Sequence, residues 1–179
     1  MKAILSDELI ERAQHIKWFF TDVDGTLTDG TSYYSPSGEV LKRFSLRDGS
    51  GFFLLHQIGI KIGIITGENS PIVERRAEKL KVDKLVMNAV PKLETFQRVL
   101  DSENLSMNEV AYIGDGINDV KLLKVAGLSF AVADAHETAK NVSSIVLNNN
   151  GGNGAFLEAC EILIRAKGIS VESIVDKSL

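Results

Sequence analysis

Six short apolar runs punctuate this chain, at residues 17–21, 61–66, 84–87, 110–114, 129–132 and 144–147. Helical patterns lie between and after them, at 51–58, 71–80, 92–101, 119–125, 135–141 and 155–167. That alternation constrains the fold more than any other feature. Strands that alternate with helices pair in parallel and carry the helices on both faces, so the expected class is α/β with a doubly wound, Rossmann-like parallel sheet. One segment breaks the rhythm. Ser32-Tyr33-Tyr34-Ser35 and Glu39-Val40-Leu41-Lys42-Arg43-Phe44, joined by Pro36-Ser37-Gly38, read as a β-hairpin. It follows the first strand directly, so it is expected to form a flap over whatever that strand carries. Residues 148–154, Asn-Asn-Asn-Gly-Gly-Asn-Gly, read as a flexible surface loop before the last helix. No linker or repeat divides the 179 residues, and a single domain over 1–179 is expected.

Composition narrows the function classes. The chain is 44% hydrophobic and 25% charged with a net charge of −4, which gives no basic footprint for nucleic acid. A mildly acidic protein that binds an anionic substrate needs local positive charge from a metal, a lysine or backbone amides. No run approaches the ~20 apolar residues of a membrane span, so no membrane partner is expected. The first 15 residues mix charged and apolar positions as a short amphipathic helix rather than a secretory signal. The single cysteine, Cys160, excludes an internal disulfide and fits a reducing, cytoplasmic location. His15, His56 and His136 are scattered, with no metal-ligand spacing.

In doubly wound sheets ligands sit beyond the carboxyl ends of the strands. Here those ends carry Asp22 and Asp24, Thr66 and Gly67, and Gly114 and Asp115. Two carboxylates one residue apart at a strand tip are tolerable if a cation lies between them, and Mg²⁺ is expected. A carboxylate can attack phosphorus, which makes Asp22 the candidate nucleophile, and Asp24 can protonate the leaving oxygen and then deprotonate water. The second cluster, Gly114-Asp115-Gly116-Ile117-Asn118-Asp119, would complete the metal shell through Asp115. Asp119 could hold a ligand water or a lysine. The competing reading is a capped helix start, with Asn118 or Asp119 as the cap. Thr66 and Gly67, ahead of Pro71, offer a hydroxyl and backbone N–H groups at a helix N-terminus, a natural phosphate cradle. Lys92 opens another helix, where a cation opposes the dipole, so a charge-balancing role beside the aspartates is expected.

In this order, Asp-x-Asp-Gly-Thr at 22–26, Thr66-Gly67, Lys92 and Gly-Asp-x-x-Asn-Asp at 114–119, the motifs resemble those of the haloacid dehalogenase superfamily. The resemblance implies Asp22 as nucleophile and Asp24 as general acid/base. It implies Mg²⁺ on Asp22, Asp115 and the backbone carbonyl of Asp24, and phosphate on Thr66 and Lys92. An acid at position 24 implies a phosphatase or mutase rather than an ATPase. Asp22 and Thr66 are 44 positions apart, and Thr66 and Lys92 are 26 apart, which leaves no room for a cap domain. An open site of this kind is expected to be closed by neighbouring subunits. With the hairpin, Arg47-Asp48-Gly49 and a late Gly-Gly-x-Gly-Ala, the chain resembles the 3-deoxy-D-manno-octulosonate 8-phosphate phosphatase family. That implies a homotetramer acting on a small acidic sugar phosphate made for lipopolysaccharide. Glu68, with Arg75-Arg76-Ala77-Glu78-Lys79-Leu80, instead resembles relatives acting on nine-carbon ulosonate 9-phosphates, so Glu68 and Arg76 are the candidate specificity residues. Asn153 and Leu157 stand where the octulosonate family commonly has arginine. A phosphomutase and a non-catalytic phosphate-binding subunit are the remaining alternatives.

Overall fold

The computed structural model describes residues 5–178. The first four residues of the expected N-terminal helix therefore lie outside the described residues. Helix α1 (Asp7–His15) begins behind Ser6, whose hydroxyl accepts the Leu9 N–H at 3.3 Å.

The expected doubly wound parallel sheet is present. Its strands are β1 (Trp18–Thr21), β4 (Lys61–Ile65), β5 (Lys84–Val86), β6 (Val110–Gly114), β7 (Leu128–Ala131) and β8 (Ile145–Val146), in the order β5-β4-β1-β6-β7-β8, all parallel. Strand order reverses beside β1, whose two neighbours are β4 and β6. The tips of these three strands therefore converge at the switch point, where α/β sheets bind ligands. The flap is the antiparallel pair β2 (Thr28–Ser35) and β3 (Gly38–Phe44). Between β1 and β4 the chain adds only this flap and α2 (Leu46–Gln57). Between β4 and α4 (Lys92–Glu103) it adds only α3 (Pro71–Leu80) and β5, so no cap domain is inserted.

All four residues of β1 are buried. Phe20 stacks on Trp18 with ring centroids 5.2 Å apart and meets Phe96 edge-on at 4.9 Å, while Phe19 reaches Phe130 and Phe156 on the other face. The Phe20 ring occupies the space where a side chain at Gly63, its register partner on β4, would stand.

Several expectations are corrected. Helix α2 begins at Leu46, not at residue 51, because Ser45 accepts the Arg47 N–H at 3.2 Å and starts the helix. Its glycines hide it from a propensity reading, but Gly51 is needed. A Cβ there would stand 2.9 Å from Cys160 Sγ and 3.0 Å from a Phe156 ring carbon on α7 (Ala155–Ala166), so glycine lets α2 lie close to α7. The stretch at 148–154 is not simply a surface loop: Gly151, Gly152 and Gly154 are buried. Nor is α7 the last helix, since α8 (Val171–Ser178) follows and buries Ile174. The helix expected at 135–141 shortens to α6 (Glu137–Lys140) behind the His136 cap, and α5 (Val120–Val125) is preceded by a 3-10 turn at Ile117–Asp119.

Gly63→Ala should destabilise the fold by about 1–3 kcal/mol, because the Phe20 ring is packed on both sides and has no room to retreat. Urea midpoints at unchanged m value would measure this, and a wild-type midpoint would show that β1 and β4 can separate.

Candidate active site

The loop after β1 is shaped by its second residue. Asp22 N–H donates to Ile113 O at 3.0 Å, which continues the β1–β6 pairing one step past the strand. Val23 is fully buried, and its carbonyl accepts the N–H groups of Thr26, Leu27 and Thr28 at 3.2, 2.9 and 3.0 Å. The spacing Asp-x-Asp therefore uses its middle residue as the anchor and leaves both acids for the cleft. Gly25 follows at φ +88°, and a Cβ there would fall on the Asp115 carboxylate, so glycine is required twice over. The late glycine motif packs from below. A Cβ at Gly151 would fall on the Gly25 carbonyl, and Gly152 N–H donates to Thr26 O at 2.9 Å.

β6 delivers the second acid. Asp115 lies just past the strand, and its Oδ1 accepts from Thr26 Oγ1 at 3.3 Å. The 3-10 turn then swings Asp119 back beneath it. Asp119 Oδ2 accepts the N–H groups of Asp115 and Gly116 at 3.1 and 3.0 Å, and Oδ1 accepts from the Tyr112 hydroxyl and from Lys92 Nζ at 2.7 Å. Lys92, at the start of α4, also donates to Asp22 Oδ1 at 2.7 Å. The side chains of Lys92, Asp22 and Asp119 are only 3, 6 and 0% exposed.

This is a dry cluster with too little positive charge. Burial, then the neighbouring Asp119, pushes Asp22 up to about 8 against the pull of Lys92, and burial and Asp119 push Asp115 up to about 6. Burial opposes the charge on Lys92, but Asp22 and Asp119 outweigh it and raise its pKa. Asp22, Asp115 and Asp119 each place an oxygen within 4.8 Å of the others. Three carboxylates and one ammonium leave two negative charges uncompensated when all are ionised, and every donor is an oxygen. That set fits a hard divalent cation. Asp119 already accepts two donors on each oxygen, so it serves as a brace, and Asp22 and Asp115 keep the free lone pairs. The carboxylate of Asp24 stands outside this side-chain trio; the ligand expected from Asp24 is its backbone carbonyl.

Asp24 is held from the flap. Its Oδ1 accepts from Lys42 Nζ at 2.5 Å, and its Oδ2 is buried with no partner. Thr66 is buried at the tip of β4 with its Oγ1 accepting the Glu68 N–H at 3.2 Å. Gly67, Lys92 and the exposed Asn118 line a cavity of about 280 Å³ rimmed by Val90 and Ile117. Glu68 is exposed beside Gly67. Arg76 is engaged at the base of the flap, where its Nη2 donates to Ser45 O at 3.1 Å and its guanidinium lies over the Phe44 ring. Asp48, of Arg47-Asp48-Gly49, is buried and ties α2 to α7 by accepting the N–H groups of Gly154 and Leu157 at 3.3 and 3.0 Å.

Lys42, Glu39 and Tyr112 belong to the site and were missed. Tyr112 reads as core in any strand pattern. Lys42 and Glu39 differ by three along a strand, which alternation assigns to opposite faces. A bulge defeats that count: Tyr33 and Tyr34 are adjacent on β2, but their partners Leu41 and Glu39 are two apart on β3. The extra residue, Val40, brings Glu39 and Lys42 to one side.

The sheet, the strand-tip acids and the lysine between them define a haloacid dehalogenase-like hydrolase without a cap, and residues 81–157 match the family of that description. The 3-deoxy-D-manno-octulosonate 8-phosphate phosphatase of Escherichia coli K12 is 37% identical over 164 residues, which cover 92% of this chain and 87% of that one. The crystal structure of the enzyme of that name from Moraxella catarrhalis, in complex with magnesium, phosphate and KDO, has a TM-score of 0.91 at 34% identity and covers 98% of this chain and all of its own. The cobalt-bound Haemophilus influenzae structure has a TM-score of 0.84 at 36% identity, covering 88% of this chain and 92% of that one. The chain belongs to the 3-deoxy-D-manno-octulosonate 8-phosphate phosphatase family and is a phosphomonoester hydrolase. Among the described residues no helix is long and apolar enough to cross a membrane.

Cation binding has to displace the protons that burial keeps on Asp22 and Asp115. At neutral pH it should release about one proton per ion, and apparent affinity should rise as pH rises from about 6 to about 8. Both folded values lie above the ordinary 3.8, so the metal-free fold should lose stability as pH rises toward about 8, and the cation should restore it. Calorimetry in buffers of different ionisation heat measures the proton; an affinity that does not change with pH would mean the acids are ionised before the cation arrives.

Proposed function

We propose that this chain is a Mg²⁺-dependent phosphatase that hydrolyses 3-deoxy-D-manno-octulosonate 8-phosphate to the free sugar acid and phosphate. The observation that carries the reaction is Lys92 clamped between Asp22 and Asp119 at 2.7 Å from each, with Asp115 alongside: a buried carboxylate nucleophile in a frame that needs a divalent ion. The substrate assignment is supported by relatives of that name at 36–37% identity over about nine-tenths of the chain. In this reading Asp22 and Asp115, with the Asp24 backbone carbonyl, hold Mg²⁺. The ion supplies positive charge for the phosphoryl oxygens. Thr66 Oγ1, the Gly67 N–H and Lys92 hold the phosphate, while Asn118 and Asp119 support the loop. The Asp22 carboxylate attacks phosphorus to form an aspartyl phosphate while Asp24 gives its proton to the departing sugar oxygen. Asp24 then takes a proton from water, which attacks the phosphoryl group and frees Asp22.

The product feeds lipopolysaccharide synthesis, and the reducing cytoplasm suits the lone buried thiol of Cys160. A homotetramer is supported by the flap, whose Tyr33, Tyr34 and Leu41 are 57, 70 and 60% exposed, an apolar surface of the kind that neighbouring subunits cover.

Asp22→Asn should lower phosphate release by at least about 10³-fold with the fold intact, and a chelator should silence the wild type until Mg²⁺ is returned. Turnover by the variant at the wild-type rate would remove Asp22 from the chemistry. Glu68, exposed at the rim of the cleft, favours a nine-carbon ulosonate 9-phosphate as the second reading. Comparing kcat/KM for the eight- and nine-carbon esters separates the two: the eight-carbon ester should win, and Glu68→Arg should widen its lead. A larger value for the nine-carbon ester would reverse the assignment.

A further inference from the structure

Lys42 is the most deeply buried charged group of the flap, with its side chain 2% exposed although most of the hairpin around it faces water. It is enclosed by acceptors: Asp24 Oδ1 at 2.5 Å, Glu39 Oε1 at 2.8 Å and Ser32 Oγ at 3.1 Å. The chain continues through Glu39, whose Oε1 accepts from Ser32 Oγ at 3.1 Å and whose Oε2 accepts from the Ser70 hydroxyl. Ser70 occupies the N-cap position of α3, but its side chain makes no capping bond and serves Glu39 instead. A residue that gives up its local role marks a competing demand, and such departures concentrate at functional sites. Stability alone does not explain the arrangement. A buried ion pair gains little over apolar packing, and a flap could be seated by hydrophobic side chains.

What the network achieves is specific to one atom. Asp24 Oδ1 is occupied by the ammonium, and Oδ2 is left buried without a partner. Fixing one oxygen sets the rotation of a carboxyl that must hold a proton, give it up and take another. The line from Asp24 through Lys42 and Glu39 to Ser70 also joins the first strand-tip loop to the one that follows Thr66 and Gly67, so the flap is pinned at both sides of the phosphate position.

We infer that Lys42 is a positioning residue for the reaction: it ties Oδ1 of Asp24, with Glu39 and Ser70 holding Lys42 in turn, and so fixes the orientation of the carboxyl that exchanges a proton with the leaving group and with water. This rests on the phosphatase reading above. The proton carried on the Asp24 carboxyl passes to the bridging ester oxygen as the phosphorus–oxygen bond breaks and the Asp22–phosphorus bond forms; the carboxylate then recovers a proton from the attacking water.

Leaving-group dependence tests it on the full chain with Mg²⁺. p-Nitrophenolate departs without a proton, whereas a sugar alkoxide needs one. Lys42→Met should lower kcat on 3-deoxy-D-manno-octulosonate 8-phosphate by about 10–100-fold, while the pre-steady-state burst of p-nitrophenolate from p-nitrophenyl phosphate, which precedes the water step, keeps its rate within about threefold. Lys42→Arg, which keeps the cation, should recover part of the loss. Should Lys42→Met fail to fold, as read by circular dichroism, Glu39→Gln and Ser70→Ala loosen the lysine from its far side and should give the same selective loss, smaller in size. An equal loss in the burst of p-nitrophenolate, or no loss on either ester, overturns the role of Lys42. Phosphate release from neither ester by the wild type would instead bring down the phosphatase reading, and this inference with it.

Discussion

The buried contact between Lys92 and the two aspartates is the constraint around which the rest of the molecule is arranged. An ammonium and two carboxylates, all less than a tenth exposed, are costly to desolvate unless each oxygen and each proton finds a partner. The structure supplies those partners from four separate elements: the tip of β1, the start of α4, Tyr112 of β6 and the 3-10 turn after it. Removing Lys92 would leave acids crowded together without their cation. Removing Asp119 would take one of the lysine's two acceptors and orphan the tyrosine and two backbone N–H groups at once. Such a cluster adds little to stability. Its value is that it holds a carboxylate rigidly at a strand tip, with an electrostatic deficit waiting for a cation.

Close backbone approach makes this possible. Gly25, Gly151 and Gly152 bring two loops, far apart in sequence, into contact directly under the acids, and Gly114 leaves the space that Asp119 occupies. Asp48 fixes the far end of the late loop by capping α7 from α2. The acids therefore sit on a floor of main chain, which has no rotamers to lose and moves less than side chains would.

The architecture and the order of the chemistry-bearing residues were legible in the sequence, because both follow from local pattern. Short continuous apolar runs, helices of period 3.6, and acids at strand tips leave the same trace whatever surrounds them. Element edges were less legible where glycine masked a helix, as at 46–51. The loop at 148–154 was misread because composition registers glycine as flexible, while its packing against Gly25 is a long-range fact. Asp119 and Lys42 show the deeper limit. That Asp119 is saturated with donors depends on Lys92, 27 residues earlier, and the side on which Lys42 emerges depends on a bulge that no residue type announces.

That bulge gives the flap a discrete character. With Val40 in place, β3 carries one residue more than β2 between the pairs Tyr33–Leu41 and Tyr34–Glu39, and the cation points inward while Leu41 points away. Deleting Arg43, on the hinge side of Lys42, would turn the segment beyond it by half a revolution and present Leu41 to the catalytic cleft, whereas deleting the unpaired Val40 would leave Glu39 and Lys42 on one face. Lengthening the tip at Pro36 and Ser37 would leave that handedness untouched. Variation in the flap can therefore accumulate at its end, where partners and surface properties change freely, while the count of residues between Lys42 and the hinge behaves as a parity bit on which the chemistry depends.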